Sequence, residues 1–172
     1  MESSNILLPV KYTVLFIVLI LLQVLVCNNI LLFSVAMPFV FIYFILVLPL
    51  DVSLNIIMIL AFFMGFLIDL FSDTLGLNCL ACLLLSVFRK PVFYLYMPKE
   101  DKFLNSSPSI ISMGWFNYFK YSLTLSAIYC FLVFGIELFS FASFGRILVM
   151  ALSSTVLTLL LVIATDVLFK RN

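Results

Sequence analysis

The chain has 172 residues, of which 66% are hydrophobic and only 10% are charged, and its formal net charge is +1. No soluble domain of this size could bury so much apolar side chain, so the composition predicts a helical protein that crosses a membrane several times. The sequence contains no histidine, which removes the usual general base and the commonest metal ligand, and it has no basic face interleaved with aromatic residues that would indicate nucleic-acid binding.

Six apolar segments predict an all-α fold with six transmembrane helices in one domain, residues 1–172. In chain order, the helices are expected at about 12–27, 31–50, 55–71, 76–96, 115–139 and 146–169. Gln23 is the lone polar residue of the first helix and is expected to face another helix rather than lipid. Pro38 lies inside the second helix, which therefore either kinks or begins near that proline. Ser109 is expected to cap a helix that starts along the membrane surface and turns into the membrane past Trp115 and Tyr118.

The third and fourth helices meet at a polar turn that carries two carboxylates. Ala61, Gly65, Asp69 and Asp73 are spaced four apart, so all four are expected on one face of the third helix. Ala61 and Gly65 form a small-xxx-small pair that lets another helix approach closely. Beyond the turn, Asp73 or Thr74 is expected to cap the fourth helix. The sequence therefore predicts a close helix crossing that leads into a carboxylate-bearing turn.

Asp69 is an unusual residue for its position. The helix dipole disfavours an anion in the last turn of a helix, and a carboxylate near lipid depth is costly unless it is paired. Both penalties shrink if Asp69 turns inward and accepts hydrogen bonds from the free backbone N–H groups of the helix that starts near Gly76. Asp69, with Gly76 and Asn78, is therefore a candidate structural cap, and a chemical role for Asp69 is the less favoured alternative.

The basic residues predict the orientation of the chain in the membrane. With six helices and a cytoplasmic N-terminus, eight of the nine basic residues fall on the cytoplasmic side. These eight are Lys11, Arg89, Lys90, Lys99, Lys102, Lys120, Lys170 and Arg171. Only Arg146 falls outside, where it could pair with Glu137 or with a carboxylate of the Asp69–Asp73 turn. Both termini are therefore expected in the cytoplasm, and the turn is expected to face outward.

The sequence offers little for catalysis or for cofactor and metal binding. Cys79 and Cys82 match half of a redox or metal motif, but they fall inside an apolar helix without a second ligand pair and are interpreted as small buried hydrophobic residues. An intramembrane aspartyl protease would need paired aspartates from two helices, whereas Asp69 and Asp73 share one helix end. We therefore predict no enzyme, no catalytic residue, no cofactor and no metal site.

Residues 62–72 and 75–78 hold a glycine four residues before an aspartate, then a short polar turn, then Gly-Leu and a polar residue. This pattern resembles the central signature of MreD, the rod shape-determining membrane protein of bacteria. Weaker landmarks of one branch of that family follow the same order, among them Met37-Pro38, Arg89-Lys90-Pro91 and Met113-Gly114-Trp115. The chain departs from the family at Leu75, where a proline often precedes the glycine, and at Asn78, where the family often has a histidine. Asn and Thr suit such a turn, so neither change threatens it.

The resemblance implies a non-enzymatic scaffold of the cell-wall elongation machinery in the bacterial inner membrane. Members of this family partner the single-span protein MreC, and the complex links cytoplasmic MreB filaments to a RodA-type glycan polymerase and a penicillin-binding transpeptidase. The resemblance also implies a six-helix fold similar to the substrate-binding subunits of energy-coupling-factor vitamin transporters. The expected partners are these proteins and the lipid bilayer.

An alternative function is that of a substrate-binding membrane subunit of a small-molecule transporter. Such a protein needs polar groups that converge on a cavity. The polar residues that could line one are Gln23, Asn28, Asn29, Asp69, Asp73, Asn78 and Glu137. Most of them are expected at the outer face, where they would form a shallow site. A ligand beside the turn would favour this alternative, and a tightly filled core would count against it.

Overall fold

A computed structural model describes residues 3–27, 36–74, 76–97, 107–137 and 144–171. Within these residues the chain forms seven helices and no β-strand. The helices are α1 (Ser3–Leu25), α2 (Ile42–Val47), α3 (Leu54–Ser72), α4 (Leu77–Tyr96), α5 (Ile110–Met113), α6 (Trp115–Glu137) and α7 (Phe144–Arg171). The all-α fold class predicted from the sequence is therefore confirmed.

Four helices are long and apolar enough to cross a membrane. They are Leu54–Ser72 in α3, Leu77–Tyr96 in α4, Trp115–Ile136 in α6 and Ile147–Phe169 in α7. α1 adds a shorter apolar stretch, Val10–Leu25. The described part of the chain thus holds four candidate helical spans rather than six, and these four match the last four predicted helices. The structure is consistent with a helical membrane protein.

Exposed apolar side chains run along one face of the long helices. On α7, Val149, Leu152, Val156 and Leu160 recur every three or four residues, and each is at least 57% exposed. This spacing places them on one side of the helix. An apolar stripe of this kind suits contact with lipid or with another membrane span, because water would make it costly.

The second predicted helix does not extend over 31–50, and of the two alternatives the structure agrees with a helix that begins near Pro38. Residues 36–41 are not helical, and α2 covers only Ile42–Val47. Pro38 has no backbone N–H and its ring clashes with a preceding helical turn, so a regular helix begins only after it. Pro49 follows the end of α2 and prevents its extension. Residues 31–35 lie outside the described residues.

The segment of residues 36–50 passes through the interior of the bundle, antiparallel to α1. Near its start, the side-chain amide of Gln23 donates to the Pro38 carbonyl at 2.9 Å and accepts from the Val40 N–H at 3.0 Å. Further along, Phe44 packs edge-on against Phe16, with ring centroids 5.2 Å apart. Gln23 is buried inside the bundle and turned away from lipid, as predicted, and its amide bonds to this non-helical backbone.

The same segment runs parallel to α7, which supplies two more backbone partners. The Met37 N–H donates to Ser154 Oγ at 3.0 Å, and the Phe39 N–H donates to Thr158 Oγ1 at 3.1 Å. Non-helical backbone at membrane depth is tolerated only where protein satisfies its polar groups. Side chains of α1 and α7 supply these hydrogen-bond partners, so the segment can remain non-helical in the core.

The segment of residues 36–50 is buried along most of its length. Every residue from Pro38 to Leu48 is buried. Residues 36–39 are not helical, and Val40 and Phe41 form a turn that leads into α2. The interior of the bundle therefore holds a largely non-helical segment where a longer helix was predicted.

The short helix α5 is tied to the end of α7. The Ser109 hydroxyl accepts from the Ser112 N–H at 3.2 Å, and the Ser112 hydroxyl accepts from the Ser109 N–H at 3.0 Å. This reciprocal pair confirms the predicted cap at Ser109. Asp166 accepts from the Ile110 N–H at 3.1 Å and from the Tyr43 hydroxyl at 3.0 Å. The two oxygens of this buried carboxylate therefore hold α5 and α2 against α7.

Candidate functional site

α3 and α4 cross most closely at Gly65. A β-carbon built on Gly65 would lie 2.5 Å from Cys79 Cα and 2.7 Å from the Asn78 carbonyl oxygen. Real Cβ atoms do not approach backbone this closely, so only glycine fits. Ala61, one turn earlier on the same face, is fully buried. The predicted small-residue seam is therefore confirmed, and its partner is the first turn of α4.

The turn between the two helices reverses the chain with two residues of positive φ. α3 ends at Ser72, and Asp73 adopts the left-handed conformation with φ 54°. The backbone N–H groups of Asp73 and Thr74 both donate to the Asp69 carbonyl, which closes the last turn of α3. Gly76, with φ 77°, then precedes α4. A glycine suits this position because it adopts positive φ without steric cost.

The Asp69 carboxylate caps α4 from the preceding helix. Its Oδ2 accepts from the Cys79 N–H at 2.8 Å, and its Oδ1 accepts from the Asn78 N–H at 3.0 Å. Oδ1 also accepts from the Asn78 side-chain amide at 2.9 Å and from the Thr74 hydroxyl. Asp69 is only 5% exposed. The predicted hydrogen bonding of Asp69 to the start of α4 is confirmed, and it satisfies N–H groups that the helix itself leaves free.

A tyrosine of α6 extends this network into the core. The Tyr129 hydroxyl donates to Asn78 Oδ1 at 2.6 Å, and Tyr129 is fully buried. Asp69, Asn78 and Tyr129 thus connect α3, α4 and α6 through buried hydrogen bonds. Tyr129 was not among the candidate residues predicted from the sequence. The available signal was a tyrosine inside an apolar helix, whose hydroxyl needs a partner when it is buried.

Two predictions about the turn are wrong. Asp73 does not continue the face of Ala61, Gly65 and Asp69, because its left-handed backbone leaves the helical path and its side chain is exposed. Neither Asp73 nor Thr74 caps α4. Gly76 occupies the N-cap position without a side-chain bond, and Asp69 provides the acceptor instead.

Several candidate residues fall where no side chain is described. Glu137 ends α6 and Arg146 lies near the start of α7, but the structure describes only their backbone. Their expected ion pair therefore stays a prediction. Asn28 and Asn29 lie outside the described residues altogether.

The described residues contain no cluster of three or more His, Cys, Asp or Glu side chains that could hold a metal ion. Cys79 and Cys82 are buried, and neither forms a disulfide. Both belong to the first turns of α4, where Cys79 also contributes its backbone to the Gly65 crossing. Their positions agree with the interpretation as small packing residues.

A cavity of about 860 Å³ lies beside the turn, between α1, the non-helical segment, α3, α4 and α6. Its lining includes Gln23, Pro38, Phe39, Thr74, Asn78 and Val133. The volume falls within the range of small-molecule pockets. However, the side-chain amides of Gln23 and Asn78 already bond to the protein itself. Asp73, which was also expected to line a site, borders the cavity with an exposed side chain, so the cavity offers one carboxylate beside mainly apolar space.

The turn and its cavity define a helical membrane protein with a rigid, hydrogen-bonded junction at one end of the bundle. Among family models, curated proteins and solved structures, none matches this chain.

Proposed function

We propose that the protein is a non-enzymatic membrane scaffold of the bacterial cell-wall elongation machinery, of the MreD type. One observation carries the proposal: the motif that resembles MreD forms a structural junction. Gly65 admits the backbone of α4, and the carboxylate of Asp69 is bonded to four donors of its own chain. Such a carboxylate is a poor general base or ligand, because its lone pairs are already engaged. A motif of this kind suits a rigid membrane platform.

The proposed location is the bacterial inner membrane, with both termini in the cytoplasm. Two observations support it. The ammonium of Lys11, early in α1, lies 4.4 Å from the centre of the Phe169 ring, near the end of α7. The first and last helices therefore have their terminal parts at the same end of the bundle. Most basic residues of the chain are expected at that end as well, as the charge rule for cytoplasmic segments requires.

The proposed partners are an MreC-like single-span protein and, through it, MreB filaments, a RodA-type polymerase and a penicillin-binding transpeptidase. Support comes from the outward face of α3, where Phe62, Phe63 and Phe66 are each at least 43% exposed. Aromatic side chains at this density provide a large area for packing against another span. Lipid contacts the part of the α3 face that the partner does not cover.

The test combines complementation with crosslinking. The chain is expressed in a rod-shaped bacterium that lacks its own MreD, and a photo-crosslinking residue is placed at Phe63, Phe131 or Leu152, on three different helices. Restored rod shape, with an MreC-type partner captured from at least one position, is the expected result. Round cells at normal membrane abundance of the protein, with no such capture from any position, would refute the scaffold function.

A substrate-binding subunit of a small-molecule transporter is the second candidate function. The cavity of about 860 Å³ next to Asn78 favours it. Native mass spectrometry of the purified protein distinguishes the two functions. A stoichiometric small molecule that is lost when Val133 in the cavity wall is enlarged to tryptophan would support transport, and its absence together with rescued cell shape would support the scaffold.

A further inference from the structure

Arg89 is a fully buried arginine without a hydrogen-bond partner. It lies in α4 and has 0% of its surface exposed. Its Nε, Nη1 and Nη2 atoms all lack an acceptor among the residues that the structure describes. The adjacent Lys90 differs, since it is partly exposed and donates to the Val52 carbonyl at 3.3 Å. A guanidinium carries five N–H donors, and here none of them makes a hydrogen bond of normal geometry to a described residue.

A buried, unpaired charge of this kind is strongly unfavourable. An arginine loses its hydration when it is buried, and only hydrogen bonds or a counter-charge compensate for the free-energy cost of that loss. Ionisable residues within membrane proteins are rare and in most cases serve a binding or transport function. No carboxylate of the described residues is hydrogen-bonded to the guanidinium. Asp166, the buried carboxylate of α7, is bonded to Tyr43 and Ile110.

Tyrosine hydroxyls surround the guanidinium. Tyr12 of α1 and Tyr121 of α6 both lie close enough for the charge of Arg89 to act on them, and the Tyr121 hydroxyl faces the guanidinium as a side-chain acceptor outside normal hydrogen-bond geometry. Tyr121 directs its own proton to the Leu46 carbonyl at 3.2 Å. Tyr118, whose ring centroid is 6.3 Å from that of Tyr121, has a buried hydroxyl that faces Asp166 without a hydrogen bond of normal geometry. Arg89 therefore lies in a cluster of tyrosine hydroxyls, without a carboxylate hydrogen-bonded to it.

The cluster lies near one end of the bundle. The neighbouring Lys90 reaches Val52, which is two residues before the start of α3. Asp51, next to Val52, is exposed. The charges of Arg89 and Asp51 both act on Tyr12. Arg89 is thus close to the level at which α3 begins, where a membrane protein meets lipid headgroups and water.

We propose that Arg89 is the centre of a phosphate-binding site at this end of the bundle. The planar fork of a guanidinium matches the oxygens of a phosphate in a bidentate arrangement, and its remaining N–H groups can bond to the further oxygens that a phosphate carries. The phosphate belongs either to a lipid headgroup or to a free phosphate-bearing molecule. This site is separate from the α3–α4 turn, and it does not depend on the proposed scaffold function.

The test uses purified protein in maltoside micelles and a phosphate-free buffer, with thermal unfolding as the readout. Inorganic phosphate or phosphatidylglycerol is added, and sodium chloride at equal ionic strength is the control for screening. A ligand near saturation should raise the midpoint of the wild-type protein by about 5 °C or more. A response to phosphatidylglycerol alone identifies a headgroup site, and a response to inorganic phosphate identifies a site for free phosphate. Phospholipid retained from the membrane is measured in parallel by native mass spectrometry.

The decisive variant is Arg89→Met, with Lys90→Met as its matched control. Arg89→Met should unfold at the same or a higher midpoint without ligand, because it removes an unpaired buried charge, and it should lose both the ligand response and any retained phospholipid. Lys90→Met should keep both. The proposal is overturned if wild type and Arg89→Met respond alike, or if Arg89→Met unfolds at a much lower midpoint or fails to fold without ligand. The last result would show that a group of the chain itself holds Arg89.

Discussion

Asp69 caps the helix that follows its own, through a 2.8 Å hydrogen bond from the backbone N–H of Cys79 to its Oδ2 atom. The bond joins the last turn of α3 to the first turn of α4. One turn before Asp69, Gly65 has no side chain, so the backbones of the two helices come close together. Close packing and capping therefore depend on each other, because the carboxylate reaches these N–H groups only if the helices touch.

Asp69→Asn should destabilise the protein less than Asp69→Ala. Asparagine keeps one acceptor but replaces the other oxygen with a donor, which costs about 1–2 kcal/mol, whereas alanine leaves several buried donors unpaired and costs about 2–4 kcal/mol. Membrane abundance and thermal unfolding measure both effects. Asp73→Asn, at an exposed position in the same turn, is the control and should be neutral. An abundant Asp69→Asn protein that fails to restore cell shape would instead assign Asp69 a functional role.

Gly65→Ala should destabilise the protein by about 1–3 kcal/mol, because the new methyl group would force the backbones of α3 and α4 apart. Gly135→Ala is the matched control. It adds the same methyl group to a helical glycine with nothing within 4 Å, and it should be neutral or stabilising by about 0.5–1 kcal/mol. Thermal unfolding of the two purified variants makes the comparison. Equal midpoints would argue against a close crossing at Gly65.

Thr158→Val should cost about 1–3 kcal/mol, because the buried N–H of Phe39 loses its acceptor. Thr155→Val provides an isosteric control in the same helix. Thr155 is also buried, but its hydroxyl bonds to the Ala151 carbonyl of its own turn, and its removal should be close to neutral. Urea unfolding in micelles measures the difference. If the two variants were equally stable, α7 would not hold the non-helical segment.

Asp73→Cys should react with a membrane-impermeant maleimide only from outside the cell, because the residue is exposed at the turn that we place outward. The four native cysteines are buried, so the wild-type protein is the control for background labelling. A reporter fused after Arg171 should be active in the cytoplasm. Labelling of Asp73→Cys from the cytoplasm alone would invert the proposed orientation.

The α3–α4 junction was predictable because its signals are local. Glycine four residues before aspartate defines a helix face, and the free N–H groups of a helix start explain a carboxylate at the end of the preceding one. Asp73 was placed wrongly because the four-residue spacing was continued past residue 71, the predicted end of the third helix. A residue in the polar turn need not follow that spacing, and Asp73 adopts a left-handed backbone there.

Long-range structure was harder to predict, as residues 36–41 and Arg89 show. An apolar run has the same composition whether it is a lipid-facing helix or a non-helical core segment, and Pro38 alone did not decide between the two. The partners that make the non-helical form possible, Ser154 and Thr158, lie more than 110 residues away. Arg89 was assigned to the cytoplasmic end of its helix by charge counting, and its complete burial depends on how α1 and α6 pack around it.

The non-helical segment also has a consequence for the order in which the protein can be completed during synthesis. Residues 36–41 reach the membrane early, but the N–H groups of Met37 and Phe39 find their acceptors only on the last helix of the chain. Until that helix has been inserted, this part of the interior has polar backbone that neither lipid nor the earlier helices satisfy. A ribosome stalled before residue 154 would therefore leave an unfinished core, and the nearly complete product would remain a substrate for membrane proteases.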